Sequence, residues 1–350
     1  MQRMRFHRIY IFRIFAADNP VDLETFQEVF QETFQETSLQ YLTLGKKMSD
    51  RYYSYKQFLM EHFGEPVLKL PIDAGFSCPN RDGTIGTGGC TYCLNSAFVP
   101  RYCSSEKNIL QQIDDGIAFH RQRGREASIY LAYFQAFSNT HAPLAKLQEL
   151  YETALSHPQV KGLVIGTRPD CIDEAKLDYI ASLQQRAFLS IEYGIESCYD
   201  RTLQRIHRGH DFACAQRAVE QTASRGIHTG GHFIIGLPGE TPEEWLNSIQ
   251  LINLMPLNSI KFHQLQIIKG TALETEFKEH PEDFHRYSMD EYVELMAATV
   301  ARLRADIAIE RFASEVPPRY LSANPWHLCR YDTLLQSIRQ RLAKEAQSQS

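Results

Sequence analysis

Three cysteines, Cys78, Cys90 and Cys93, stand in a C-x11-C-x2-C spacing inside the segment Gly75-Phe-Ser-Cys78-Pro-Asn-Arg-Asp-Gly-Thr-Ile-Gly-Thr-Gly88-Gly89-Cys90-Thr-Tyr92-Cys93. Thiolates are soft ligands that select iron–sulfur clusters, zinc or Cu(I). A closed zinc site takes four protein ligands, and a [4Fe-4S] cluster normally takes four thiolates. Three cysteines therefore leave one coordination position for another group. Gly88 and Gly89 are expected to let the backbone run close to a bulky cluster, where a Cβ would clash. Two other readings of the loop remain: a zinc knuckle completed by Cys103, and cysteines that share no ligand. Cys171, Cys198, Cys214 and Cys329 show no ligand spacing, and Cys171 reads as a small buried residue.

The loop needs elements to hold it. Apolar strand-like runs fall at 67–76, 129–134, 162–167, 188–193, 232–237 and 259–268. Helical patterns lie at 105–123, 142–156, 173–185, 211–225 and 241–254, with two more at 290–304 and 330–345. Strand–helix alternation with short connections predicts a parallel α/β sheet. Six such units predict a partial (β/α)6 TIM-like barrel with a C-terminal helical extension, and in such folds chemistry collects at the C-terminal strand ends. The cysteine loop directly follows the first of these strands. The expected organisation is an appendage over 1–47, a core domain over 60–305 and an extension over 306–350.

Composition excludes several classes. The chain has 350 residues, 43% of them hydrophobic and 23% charged, which is globular rather than disordered. A formal charge of −5 does not hold a protein to nucleic acid by bulk electrostatics. No run of 18 apolar residues is present, so no membrane span is expected. Four of the eight cysteines cluster within residues 78–103, which points to a metal or redox site in a reducing compartment, the cytoplasm, rather than to a disulfide scaffold. The first 15 residues carry Arg3, Arg5, Arg8 and Arg13 and no acid, so no uninterrupted secretory core forms. Phe26, Phe30 and Phe34 then recur with a helical period. Globular sequence begins near Met48, an alternative start.

The strings GFSCPNRDGTIGTGGCTYC, YLAYFQAFSNT, GTRPDC, RIHRGHDFAC and IIGLPGET resemble the radical SAM superfamily. Within it they resemble the YhcC-like family, related to the Elongator catalytic subunit and to oxygen-independent coproporphyrinogen oxidase. The longer first cysteine spacing departs from the commonest form of the motif. The resemblance spans about residues 50–330. It implies a [4Fe-4S] cluster on Cys78, Cys90 and Cys93, with the fourth iron open to S-adenosylmethionine (SAM). Reductive cleavage of that cofactor would give a 5′-deoxyadenosyl radical that takes hydrogen from a substrate. The resemblance further implies Tyr92 beside the adenine, Glu196 on the ribose and Arg208 on the methionine carboxylate. Gln135 stands, with Ser138 and Asn139, where related enzymes have a glycine-rich turn. A small electron donor such as flavodoxin or ferredoxin is the implied partner, and the substrate is a small molecule or RNA.

Other strand ends offer positioning groups. Arg168 and Asp170 would either grip a polar substrate or brace the rim. Alternation puts Glu192, Gly194 and Glu196 on one side of their strand, toward the interior, where a carboxylate needs a partner or a function. His232 replaces an acid found in some relatives. His263, Gln266 and Lys269 are candidates for substrate contact. His207 and His210 read as solvated or capping residues. Thr241 and Glu244 predict a capping box. An RNA-modifying reaction and a non-catalytic iron–sulfur or zinc redox sensor are the alternatives. A sensor would need the cysteines but not Glu196 or Arg208.

Overall fold

The structure, a computed structural model, describes residues 51–95, 99–323, 326 and 329–348. The appendage expected over 1–47 lies outside these residues. The described chain runs α1 (Tyr55–Phe63), β1 (Val67–Ile72), α2 (Ile109–Arg121), β2 (Ile129–Phe134), α3 (Leu144–Leu155), β3 (Val160–Thr167), α4 (Glu174–Ser182) and β4 (Phe188–Glu196). It continues with α5 (Asp200–Arg205), α6 (Phe212–Ser224), β5 (His228–Ile235), α7 (Pro242–Leu254) and β6 (Ser259–Gln264). The last elements are α8 (Ala272–Glu279), α9 (Met289–Arg302), β7 (Ala308–Arg311) and α10 (Tyr331–Ser348).

Local chemistry sets these elements. Ser54, Asn108, Asp173, Asp211, Thr241, Thr271 and Ser288 each accept a hydrogen bond from a first-turn backbone N–H, satisfying donors that a helix start leaves open. Thr241 and Glu244 form the expected capping box. β2 is buried at every position, as a parallel strand covered on both faces must be.

All strand pairs are parallel, and the sheet order follows the chain from β1 to β7. This is the expected partial barrel with one strand more than six. The seventh, Ala-Ile-Glu-Arg, lies in the stretch read as an extension; four residues, two of them charged, are too short to show an apolar run. Its outer edge is covered where Ser54 bridges Ile309 and the Ile309 N–H donates to the Tyr53 carbonyl at 2.8 Å. β1 and β6 stop at Ile72 and Gln264, earlier than their apolar runs, and the remainder of each run becomes loop.

Side chains divide by strand alternation into two layers. Tyr130, Ala132, Phe134, Ile165, Ile191, Tyr193, Phe233 and Phe262 face the helices in the main core. Leu131, Tyr133, Val164 and Ala308 face inward, where Tyr55 and Leu59 of α1 join them as a plug. Above the plug, inward-facing ions form a closed ring. Lys69 Nζ lies 2.6 Å from Glu192 and 2.6 Å from Glu310. Lys261 Nζ lies 2.6 Å from Glu192 and 3.1 Å from Glu310. The Tyr133 hydroxyl oxygen accepts from Lys261 Nζ at 3.1 Å, and Lys69 sits 4.2 Å above the Tyr55 ring. Burial alone would raise the Glu192 carboxyl. The ammonium groups of Lys261 and Lys69 outweigh it and hold Glu192 well below the usual carboxylate range.

Glu192→Gln leaves two buried ammonium groups sharing one carboxylate. The expected loss is about 3–5 kcal/mol in urea unfolding, partly recovered when Lys69→Met is added to restore charge balance. The sign with pH follows from the lowered folded pKa. The Glu192 contribution is complete above the unfolded value of 4.5 and is lost as pH falls through the folded one. The single variant should therefore unfold less steeply with acid than the parent. A loss below about 1 kcal/mol would show that the ring does not support the fold.

Candidate active site

A cavity of about 260 Å³ opens at the C-terminal strand ends. Its wall includes Cys78, Cys90, Cys93, Tyr92, Gln135, Glu196 and Arg208, so every cofactor and metal residue expected from the sequence faces one space. Cys103 is not part of the wall; its Sγ lies 3.0 Å from the Pro71 carbonyl. Among the described residues, no three His, Cys, Asp or Glu side chains converge closely enough to hold a single metal ion.

The cysteine loop is tied to β4 and the turn after α5. Asn80 Nδ2 donates to the carbonyls of His207 and Arg208 at 2.8 and 3.0 Å and approaches Cys90 Sγ at 3.5 Å. Arg208 Nη1 also reaches Cys90 Sγ at 3.5 Å, while Nη2 donates to the Gly194 carbonyl at 2.6 Å. The Arg208 side chain is 8% exposed and pairs with Glu196 at 3.5 Å. Its Nε is buried without a partner among the described residues. Burial, then the Glu196 carboxylate, pushes the Tyr92 hydroxyl up, which places that ring beside the same pair. Burial, then the adjacent Cys90, also raises the Cys93 thiol.

Two glycines act differently from expectation. A Cβ on Gly88 would meet nothing within 4 Å, whereas one on Gly89 would stand 2.7 Å from the Arg81 guanidinium, so Gly89 alone makes room for Arg81. Arg81 Nη2 in turn donates to the Cys93 carbonyl at 2.7 Å. The close approach that matters is at Gly194, where a Cβ would lie 2.6 Å from both Arg208 Nη2 and Glu196 Oε1. Glu196 follows at a β4 irregularity with φ 73°, a left-handed conformation unusual for glutamate that turns its carboxylate toward Arg208.

The positioning candidates separate. Arg168 binds Asp170 through two bonds of 2.9 and 2.7 Å, so the pair braces the rim, with only Arg168 on the cavity wall. Asn139 lies outside the wall and fixes its turn by donating to the Gly166 carbonyl at 2.8 Å. Ser138 remains on the wall. His263 and Gln266 line the cavity, but Lys269 does not; it is exposed, 3.5 Å from the Arg319 carbonyl, because β6 ends at Gln264 and the chain has turned away. His232 pairs with Glu192 at 3.1 Å. His207 is exposed, whereas His210 is half-buried, its imidazole pushed down to about 4 by burial and then by Arg208. Cys171 is buried, and burial raises its thiol to about 12. Asn80, Arg81, Lys69 and Arg311 were not singled out from the sequence. Lys69 carried a signal, a lysine inside an apolar strand run.

A parallel partial barrel whose thiol-bearing loop follows β1 and opens to the strand ends defines a class of cofactor-dependent barrel enzymes. Comparison gives the family. Residues 82–252 match the radical SAM superfamily and residues 257–344 match the radical SAM C-terminal domain. The chain is 32% identical over 284 residues to the uncharacterized protein YtqA of Bacillus subtilis, covering 81% of this chain and 87% of that one. It is 39% identical over 216 residues to protein YhcC of Escherichia coli, covering 61% and 68%. The archaeal Methanocaldococcus infernus Elp3 structure shares the fold, with a TM-score of 0.61 at 15% identity over 80% of this chain and 63% of its own length. The chain belongs to the radical SAM superfamily and is an enzyme of that class.

The residues present fit the group this family carries. Three thiols share a wall, two side-chain donors approach one sulfur, and a guanidinium nitrogen beside them is buried and unspent. Gly194→Ala should displace Arg208 and Glu196 while leaving the barrel intact. Calorimetry on reconstituted protein should then show SAM affinity reduced about tenfold or more, with the circular dichroism melt little changed. Affinity within about twofold of the parent would separate this pair from cofactor binding.

Proposed function

We propose that this chain binds a [4Fe-4S] cluster through Cys78, Cys90 and Cys93, and that SAM occupies the same cavity beside Tyr92, Gln135, Glu196 and Arg208. The observation that carries the reading is the joint exposure of these seven side chains to one space at the strand ends. Held by these residues, the group would supply one-electron reductive cleavage of the cofactor's sulfonium C–S bond and, through it, hydrogen abstraction from a substrate.

The chain's own residues do the rest. Asn80 and Arg208 donate toward Cys90 Sγ and fix its place in the loop. Arg208, with its unspent Nε, presents a fork suited to a carboxylate. Glu196 supplies an acceptor for hydroxyl groups. Tyr92 offers a ring face for a base. The electron comes, in this proposal, from a small donor protein such as flavodoxin or ferredoxin.

Single Cys78→Ala, Cys90→Ala and Cys93→Ala variants should each lose most iron and sulfide after anaerobic reconstitution, while Cys103→Ala keeps them. Arg208→Ala should retain the cluster and bind SAM about 30- to 1,000-fold more weakly, the loss of a charge-assisted contact worth roughly 2–4 kcal/mol. A full cluster in any of the first three variants would refute the ligand set.

A further inference from the structure

The cavity floor carries donors that no part of the fold uses. Arg311, the last residue of β7, lines the cavity and is half-buried. A register shift opposite Ile260 and Lys261 sets it beside Lys261. Among the described residues Arg311 has no hydrogen-bond or ion-pair partner. The ion ring beneath it cannot neutralise it. Lys69 and Lys261 are balanced within the ring by Glu192 and Glu310, and both Glu192 oxygens are engaged. Glu196, the other carboxylate on the wall, pairs with Arg208.

Two further donors share this wall. His263 is half-buried on β6, its ring centroid 5.3 Å from that of His232, and it has no hydrogen-bond partner among the described residues. Burial, then His232 and Arg311, hold its imidazole well below its usual range, so at neutral pH it is uncharged with one N–H to give. Gln266 follows on the same strand end and also faces the cavity. Gln264 shows what a residue used by the fold looks like. Its amide donates to the Ser314 carbonyl at 3.0 Å and accepts from the Ser314 N–H at 2.8 Å, fixing the chain just beyond Arg311. A partly desolvated guanidinium held in place without a counter-ion leaves a position for one. Its planar fork matches an oxyanion bidentately.

Resting on the radical SAM reading above, we infer that Arg311, His263 and Gln266 form a substrate subsite for an oxyanion, a carboxylate or phosphate group. His263 and Arg311 sit on β6 and β7 and Gln266 just past the end of β6, whereas the thiols follow β1. An anion held here anchors the substrate by its charged end and leaves the rest of the molecule to extend toward the cysteine side. Arg311 is then a specificity-determining residue, and a neutral analogue lacking the anion loses its anchor.

The test is calorimetric titration of the reconstituted full chain with sodium acetate and, separately, with inorganic phosphate, at matched ionic strength. Saturable binding of one probe is expected, and the preferred probe names the group. Arg311→Gln should weaken it about tenfold or more and Arg311→Lys by less. SAM affinity and substrate-free 5′-deoxyadenosine formation should stay within about twofold in Arg311→Gln, so loss of SAM cleavage in the parent enzyme would overturn the class reading independently of the anion result. No binding of either probe up to about 50 mM, or equal binding by parent and Arg311→Gln, overturns the subsite. Displacement of acetate by SAM alone also overturns it, by assigning Arg311 to the cofactor. Should Arg311→Gln not fold, phenylglyoxal labelling of the parent decides: the bound probe should protect Arg311, and unchanged labelling contradicts the proposal.

Discussion

Lys69, Glu192, Lys261 and Glu310 meet from β1, β4, β6 and β7, strands far apart in the chain, and their contacts tie the first and last strands of an open sheet together. A seven-stranded parallel sheet that does not close has two edges and an interior that must be filled. Here α1 fills the lower end with Tyr55 and Leu59, and the ion ring forms the layer above. Two cations and two anions balance, so the layer stays fixed without counter-ions from solvent. Buried ion pairs of this kind are weak contributors to net stability but costly to break singly, which makes them good at specifying one arrangement. The cavity exists because this layer stops the apolar filling before it reaches the strand ends.

On that floor the site is assembled by backbone as much as by side chains. Gly194 leaves space for Arg208 and Glu196, and the left-handed backbone at Glu196 turns its carboxylate back into the same space. Asn80 clamps the cysteine loop to the turn that carries Arg208. Displacing any of these changes the setting of Cys90, which receives two of the contacts. The Cys90 thiol and the proposed contacts at Arg208 and Glu196 are therefore set together, above the ion ring.

Much of this was legible in the sequence. Strand–helix alternation is a strong signal because parallel strands must be apolar along their whole length, and it located six strands. β7 was not visible because Ala308–Arg311 is short and half charged, and its burial depends on neighbours distant in sequence. The cysteine spacing, and the inward alternation of Glu192, Gly194 and Glu196, placed residues that do share the cavity. What spacing could not give is pairing. Arg168 turned out to be held by Asp170, Glu192 by three basic side chains, and Lys269 lay outside the site once β6 ended early. Nor could it show that Gly89 accommodates Arg81, since that contact arises only when the loop folds back on itself.

The central claim is that this cavity holds a cluster and SAM in reactive contact. The direct measurement is product analysis after anaerobic reconstitution, reduction with dithionite and addition of SAM. The account predicts slow formation of 5′-deoxyadenosine and methionine in equal amounts, abolished in Cys90→Ala. A reconstituted, reduced protein that binds SAM and yields no 5′-deoxyadenosine, with cell extract or without it, would contradict it.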